Sequence, residues 1–241
     1  MTFRNRQAQT PGDRPRTRPQ PWEGARDPVN GFMHLLALVL ALVGTAALLW
    51  ACRGDADRMI SAAVYGLGMI GCFLASSLHH LVRASHRTEI LLLKLDHAAI
   101  YPFIAGSYTP ICLQVLPRPS GLLLLVLVWA VALGGVGYKL IFAREPERVD
   151  DPPEMSSTLL YIVMGWLIVL VGSGGDFLAQ SRAGTFPLAL AGGIAYSVGG
   201  VILSRRWFDF KPGRWGHHEI WHAFVMVGSA CFYAYVWANL T

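Results

Sequence analysis

The stretch HHEIWH, residues 217–222, has the residue types and the spacing of a metal site. On a helix, His218 and His222 are four residues apart, so both imidazoles lie on one face and can bind the same ion. With Glu219 they also match H-E-x-x-H, in which zinc proteases use the glutamate as a base. The apolar run AFVMVGSACFYAYVWANL follows directly. The pattern therefore fits either a metalloprotease helix or zinc ligands at the mouth of a membrane span.

Two further groups of polar residues interrupt apolar segments: Ser76, His79 and His80 in CFLASSLHHLV, and Asp96 in KLDHAAIYPFIAGSYTP. Ionisable groups inside membrane spans are costly and are candidates for function. Ser76 precedes His79 by three residues and His80 by four, so helical spacing does not separate the two histidines as a third ligand. Three imidazoles and one water form a catalytic zinc set, and Asp96 is suited to hold that water or to orient a ligand.

The composition indicates what kind of protein positions these groups. Hydrophobic residues make up 54% of the 241 residues and charged residues only 15%, whereas a soluble domain carries about 25% charged residues. A helix needs about 20 apolar residues to cross a bilayer. Seven runs of about that length predict an all-α integral membrane protein, a seven-transmembrane helix bundle, with spans at Asn30–Ala51, Met59–Val82, Leu91–Leu113, Gly121–Phe142, Ser157–Leu178, Phe186–Leu203 and His217–Trp237.

Lysine and arginine predict the orientation of these spans. If the N-terminus is cytoplasmic, only Arg53, Arg58, Arg118 and Arg182 of the 20 basic residues lie on outside segments, and the other 16 lie inside. This positive-inside bias supports an odd number of spans and places the C-terminus outside. Anionic headgroups then account for the net charge of +5, and we predict no nucleic-acid partner. All three polar groups fall near the cytoplasmic face.

The remaining features predict little chemistry. Residues 1–28 are rich in Arg and Pro and nearly free of aliphatic residues, so we predict a disordered cytoplasmic tail before a membrane domain at residues 29–241. The four cysteines lie in or beside apolar runs without C-x-x-C spacing, which predicts core residues and neither disulfides nor metal ligands. Four histidines at or near span ends are interpreted as interfacial residues: His34, His86, His97 and His217.

Several of these motifs also resemble the hemolysin III family, part of the progestin and adipoQ receptor superfamily. The similar segments are SSLHH, read as Ser-x3-His from Ser76 to His80, KLDHAAIYPFIAGSYTP, HEIWH and, before the first span, DPVNGFMH. The segment that begins at Lys94 is the most specific of them. The resemblance covers the chain from about Asp27 to Trp237 and leaves out the Arg-rich tail.

The resemblance implies seven helices, a cytoplasmic N-terminus and a location in the plasma or inner membrane. It implies Zn²⁺ bound by His80, His218 and His222, with Ser76 and Asp96 as catalytic residues near the zinc-bound water. It thereby selects His80 over His79, and it implies that the match to H-E-x-x-H is incidental.

The same resemblance suggests a reaction. Adiponectin-receptor members are linked to ceramide hydrolysis and bacterial members to membrane-lipid homeostasis, so we expect a zinc-dependent hydrolase that acts on an amide or ester of a membrane lipid. Two alternatives remain open. One is a sensor of membrane state, or a cytolysin as the family name implies, with a structural zinc and no turnover. The other is an intramembrane protease that uses Glu219 as its base.

Overall fold

The computed structural model describes residues 25–142, 155–210 and 215–241. Every regular element in these ranges is a helix, as predicted. Helix α3 continues into a π-helical turn at Ile111–Val115, and α4 into another at Tyr138–Phe142. The helices are α1 Pro28–Ala51, α2 Ala56–Leu81, α3 His86–Pro110, α4 Arg118–Gly137, α5 Met155–Gly165, α6 Leu167–Leu170, α7 Gly174–Gln180, α8 Phe186–Arg205 and α9 His217–Leu240.

Six of the helices in the described part of the chain are long and apolar enough to cross a membrane. They are α1, α2, α3, α4, α8 and α9, with the π-helical turns included in α3 and α4. Their outward surfaces carry large apolar side chains such as Leu40, Val43, Leu123 and Val126, each at least half exposed. Exposed apolar surface of this extent is typical of a face that contacts lipid.

The segment predicted as the fifth span, Ser157–Leu178, differs from the other six. It is divided among three short helices, α5, α6 and α7, so the seven-helix count is not confirmed by helix length. At the first break, the Tyr108 hydroxyl donates to the carbonyl oxygen of Gly165 (2.7 Å) and accepts from the backbone N–H of Ile168 (3.2 Å). These bonds satisfy backbone groups that a continuous helix would pair, which is what a break in an apolar environment requires. Gly172, at φ +80°, then follows the end of α6.

The packing brings the polar ends of four helices together. Helix α1 packs against α2, α2 against α3, and α9 against α8, α1, α2 and α3. The backbone N–H of Asp27 donates to the carbonyl oxygen of His80 (2.8 Å), which fixes the start of α1 at the end of α2. Arg26 and Asp27, assigned to the tail from the sequence, thus lie against α2; residues 1–24 of that predicted tail lie outside the described residues.

Helix α8 is short and rich in glycine, which suits close packing against a neighbouring helix. A Cβ atom at Gly199 would come within 2.7 Å of the Cβ of Phe224, and one at Gly192 within 3.2 Å of the carbonyl oxygen of Gly228. Both neighbours belong to α9. Because only glycine permits this approach, it holds α8 against the helix that carries His218 and His222.

Candidate metal centre

Three histidines from two helices converge at one end of the bundle. His80 lies near the C-terminus of α2, and His218 and His222 lie in the first two turns of α9. Each offers a ring nitrogen within 4.8 Å of the other two, and the ring centroids are 4.8–5.0 Å apart. The structure therefore brings together the three residues named as zinc ligands from the sequence.

The donor set fits zinc. Tetrahedral zinc with Zn–N bonds of about 2.0–2.1 Å separates its nitrogens by roughly 3.3 Å, so small rotations of these rings suffice. Nε2 of His80 and Nδ1 of His222 are buried and have no hydrogen-bond partner among the described residues. A buried polar atom without a partner costs free energy, and a metal ion would satisfy it.

Asp27 determines which nitrogen of His80 is available. Its Oδ2 lies 3.1 Å from Nδ1 of His80, and because an ionised carboxylate only accepts, Nδ1 carries the proton. Burial alone would raise the pKa of Asp27, but hydrogen bonds from His80 and Asn30 outweigh it and lower the pKa to about 2. Asp27 is therefore ionised at neutral pH. Nε2 of His80 is left unprotonated and can act as a ligand.

His79 is arranged differently, although it also lies beside His80. Its side chain is buried. Nε2 lies 2.8 Å from the Arg26 guanidinium, which only donates, so the proton of a neutral His79 is on Nδ1. A second group of close donors, His79, His80 and Asp96, also falls within 4.8 Å. Because Arg26 occupies Nε2 of His79, the group with His218 and His222 is the better metal site.

Ser76 and Asp96 lie on the same cavity as the histidines. Ser76 is one turn before His80 on α2, and Asp96 is on α3. Both side chains line a cavity of about 120 Å³ that His218 and His222 also line. A general base and a hydroxyl donor are thus next to the histidine cluster.

The rest of that cavity is mostly apolar, although Ser107, Thr158 and Ser197 also line it. Its wall extends away from the histidines between α3, α5, α8 and α9, and a second cavity of about 90 Å³ shares Tyr108, Trp166 and Phe232 with it. The histidines, Asp96 and Ser76 therefore adjoin a mostly apolar space.

His34 was interpreted as an interfacial residue, and this interpretation is wrong. Only 4% of its surface is exposed, and its ring stacks on that of His222 with centroids 3.7 Å apart. Phe73 packs against the edge of the pair. His34 thus holds the ring of a candidate ligand. His97 and His217 are partly buried, and His86 is exposed.

The structure buries the side chain of Glu219. Oε2 accepts from the backbone N–H of Gly216 (2.7 Å), and Oε1 accepts from the Asn30 side-chain amide (3.1 Å). Both oxygens are occupied, so Glu219 is poorly placed to remove a proton from water. The arrangement argues against the metalloprotease hypothesis.

Asn30 and Asp27 are site residues that the sequence reasoning missed. A signal was present, because Asn30 and His34 are four residues apart in an otherwise apolar run and so lie on one face of α1. Asp27, just before that run, had no comparable signal. It is recognisable only from its contact with His80.

Comparisons with known proteins agree with this architecture. Residues 23–233 match a family model described as "Haemolysin-III related". The chain is 36% identical to "Hemolysin-3" of Bacillus cereus over 206 residues, covering 85% of this chain and 84% of that protein. It is 34% identical to "Hemolysin-3 homolog" of Bacillus subtilis (strain 168), covering 85% and 89%. It is also 31% identical to "Monocyte to macrophage differentiation factor" of Homo sapiens over 217 residues, covering 88% and 83%.

Proposed function

The chain belongs to the haemolysin-III related family of multi-pass membrane proteins, and from that premise we propose that it is a zinc-dependent hydrolase of a membrane-lipid amide or ester. The main support for this proposal is the geometry of the histidine cluster. Ring nitrogens of His80, His218 and His222 lie within 4.8 Å of one another, and Asp96 and Ser76 line the same cavity. Ligands, a base and a hydroxyl donor are the groups that hydrolysis of a carbonyl substrate requires.

The ligand set would be Nε2 of His80 together with one ring nitrogen each of His218 and His222. When bound, zinc supplies a Lewis acid that lowers the pKa of a coordinated water to about 7. Asp96 accepts a proton from the attacking water and later returns it to the leaving group. The Ser76 hydroxyl donates a hydrogen bond to the developing oxyanion, and Asp27 keeps the His80 ring in its ligating tautomer.

The shape of the site favours a lipid substrate. The cavity is polar where the histidines, Asp96 and Ser76 meet, and mostly apolar along α3, α5, α8 and α9. A substrate with a hydrolysable carbonyl near a headgroup and a long acyl chain matches this division. The test is release of fatty acid from a ceramide or an acyl ester by the purified protein, with and without zinc. Absence of release from both substrates would contradict the hydrolase proposal.

We propose that α5, α6 and α7 together form a seventh crossing, which puts the N-terminus in the cytoplasm and the C-terminus outside. The bias of basic residues toward one side supports this orientation. Reporter fusions at the two ends should therefore give opposite signals, with cytoplasmic activity at the N-terminus only. A fusion after α8, for instance at Arg206, should report cytoplasm. Both termini on one side of the membrane would mean that the broken segment does not cross.

We expect the variant His79→Ala to retain most of its zinc, whereas His80→Ala should lose it. The reason is that Arg26 occupies Nε2 of His79, while Nε2 of His80 is available. Because His79 is buried, the variant should also unfold at a lower temperature than wild type. Zinc content and thermal unfolding of the two variants, measured side by side, check this. Zinc lost from His79→Ala and kept by His80→Ala would reverse the assignment.

A further inference from the structure

We propose that Asp27, Asn30 and Glu219 form a positioning network that joins the two ligand-bearing helices through the start of α1. The inference rests on the proposed zinc site and adds residues that do not bind the ion themselves. The network would orient His80 from one side and fix the first turn of α9 from the other.

The first link is the contact between Asp27 and His80. Oδ2 of Asp27 accepts a hydrogen bond from Nδ1 of His80, with 3.1 Å between the two atoms. The backbone N–H of Asp27 donates to the carbonyl oxygen of His80 at 2.8 Å. Two contacts from one residue fix both the ring and the backbone of His80. A carboxylate that accepts from a ligand histidine also makes its other nitrogen more basic, which strengthens metal binding.

The second link is the side-chain amide of Asn30, which is 1% exposed. Its Nδ2 donates to Oδ2 of Asp27 at 2.7 Å and to Oε1 of Glu219 at 3.1 Å. The amide has two N–H bonds, so it can satisfy both carboxylates at once. An aspartate at this position would put a third carboxylate between two others, and an alanine would remove the donor that the two carboxylates share. The chemistry of the position therefore requires an amide.

The third link is Glu219, which lies between the two ligands His218 and His222 in sequence. Its Oε2 accepts from the backbone N–H of Gly216 at 2.7 Å, just before the first turn of α9. Glu219 thus fixes the start of this helix while Asn30 fixes Glu219. The glutamate of the H-E-x-x-H pattern thus helps to place the pattern's two histidines.

The inference is tested by the zinc affinity of purified full-length protein, measured by competition with a chromophoric chelator. Loss of a residue that orients a ligand commonly lowers metal affinity about 10- to 100-fold. We expect that loss for Asp27→Ala and Asn30→Asp. Asp27→Asn should fall between Asp27→Ala and wild type, because it keeps an acceptor and loses the charge. Glu219→Gln should also weaken binding, because a glutamine has one acceptor oxygen where two are used.

The matched control is Arg83→Ala. Arg83 donates to the carbonyl oxygen of Ala25 at 3.0 Å and so ties the same N-terminal segment to α2, without touching a candidate ligand. Its zinc affinity should equal that of wild type. The visible spectrum of the Co²⁺-substituted protein gives a second readout, since it reports the ligand geometry directly. It should change in the Asp27 variants and stay the same in Arg83→Ala.

The outcomes separate the two proposals. Wild-type protein that binds zinc, with Asp27→Ala and Asn30→Asp binding it equally well, would overturn the network and leave the zinc site intact. Equal weakening in Arg83→Ala would also overturn the network, because it would assign the effect to general loosening of the segment. Wild-type protein that binds no zinc would overturn the proposed function and the network with it.

Discussion

Purified protein should contain one zinc ion per chain, and the triple variant His80→Ala, His218→Ala, His222→Ala should contain almost none. The three rings are the nitrogen donors that one ion can share, since their nitrogens lie within 4.8 Å of one another. Removing all three removes the whole proposed ligand set. Each single variant should lower zinc affinity by at least the 10- to 100-fold that is common when residues around the ligands are lost. Metal analysis of the detergent-purified proteins measures both effects.

His86→Ala is the control for this experiment. His86 is also a histidine at a helix end, but it is exposed and lies outside the cluster. Its removal should leave the zinc content at the wild-type level. Near-full zinc occupancy in the triple variant would show that the ion binds elsewhere, and the assignment of all three ligands would be wrong.

Asp96→Asn should retain zinc and lose lipid hydrolysis by about 10²- to 10⁴-fold, the range over which a general acid–base group accelerates reactions. The Asp96 side chain lines the same cavity as Ser76, His218 and His222. Asparagine has nearly the same shape and cannot accept the proton. Fatty-acid release by zinc-loaded protein measures the loss, and lipidomics of a deletion strain that carries the variant measures its consequence in cells.

Asp57→Asn is the matched control, because Asp57 is an exposed carboxylate in the first turn of α2, at the end opposite Ser76. It should hydrolyse lipid at the wild-type rate. The comparison also separates the hydrolase from a sensor of membrane state. A protein whose zinc is purely structural would tolerate Asp96→Asn, and its strain would have the lipid profile of wild type.

Much of the architecture could be predicted from the sequence because membrane insertion acts on local composition. Six of the seven predicted spans correspond to helices of spanning length, and their boundaries agree to within a few residues. Helical periodicity likewise pairs His218 with His222, since residues four apart share a face whatever surrounds them. The third span, which Asp96, His97 and Pro102 interrupt, still forms a continuous helix. Lipid gives backbone groups no alternative partners there.

Other features depended on contacts between distant residues, which local patterns do not encode. The fifth apolar run is as hydrophobic as a span, yet it breaks at Gly165, where the hydroxyl of Tyr108 on α3 supplies the missing backbone partner. The choice between His79 and His80 depends on which ring faces Arg26 and which faces Asp27.

The roles of His34, Asn30 and Glu219 were likewise decided by tertiary structure. The sequence suggested Glu219 as the base of a protease, but its partner Asn30 is 189 residues away along the chain. The sequence by itself determined that the helices are apolar enough to span a membrane and which residues are able to bind a metal. Hydrophobicity and helical spacing are local properties of the chain. Only the packing of α1 against α2 and α9 decided which polar groups meet, because hydrogen bonds between helices depend on where each helix ends and which face it turns inward.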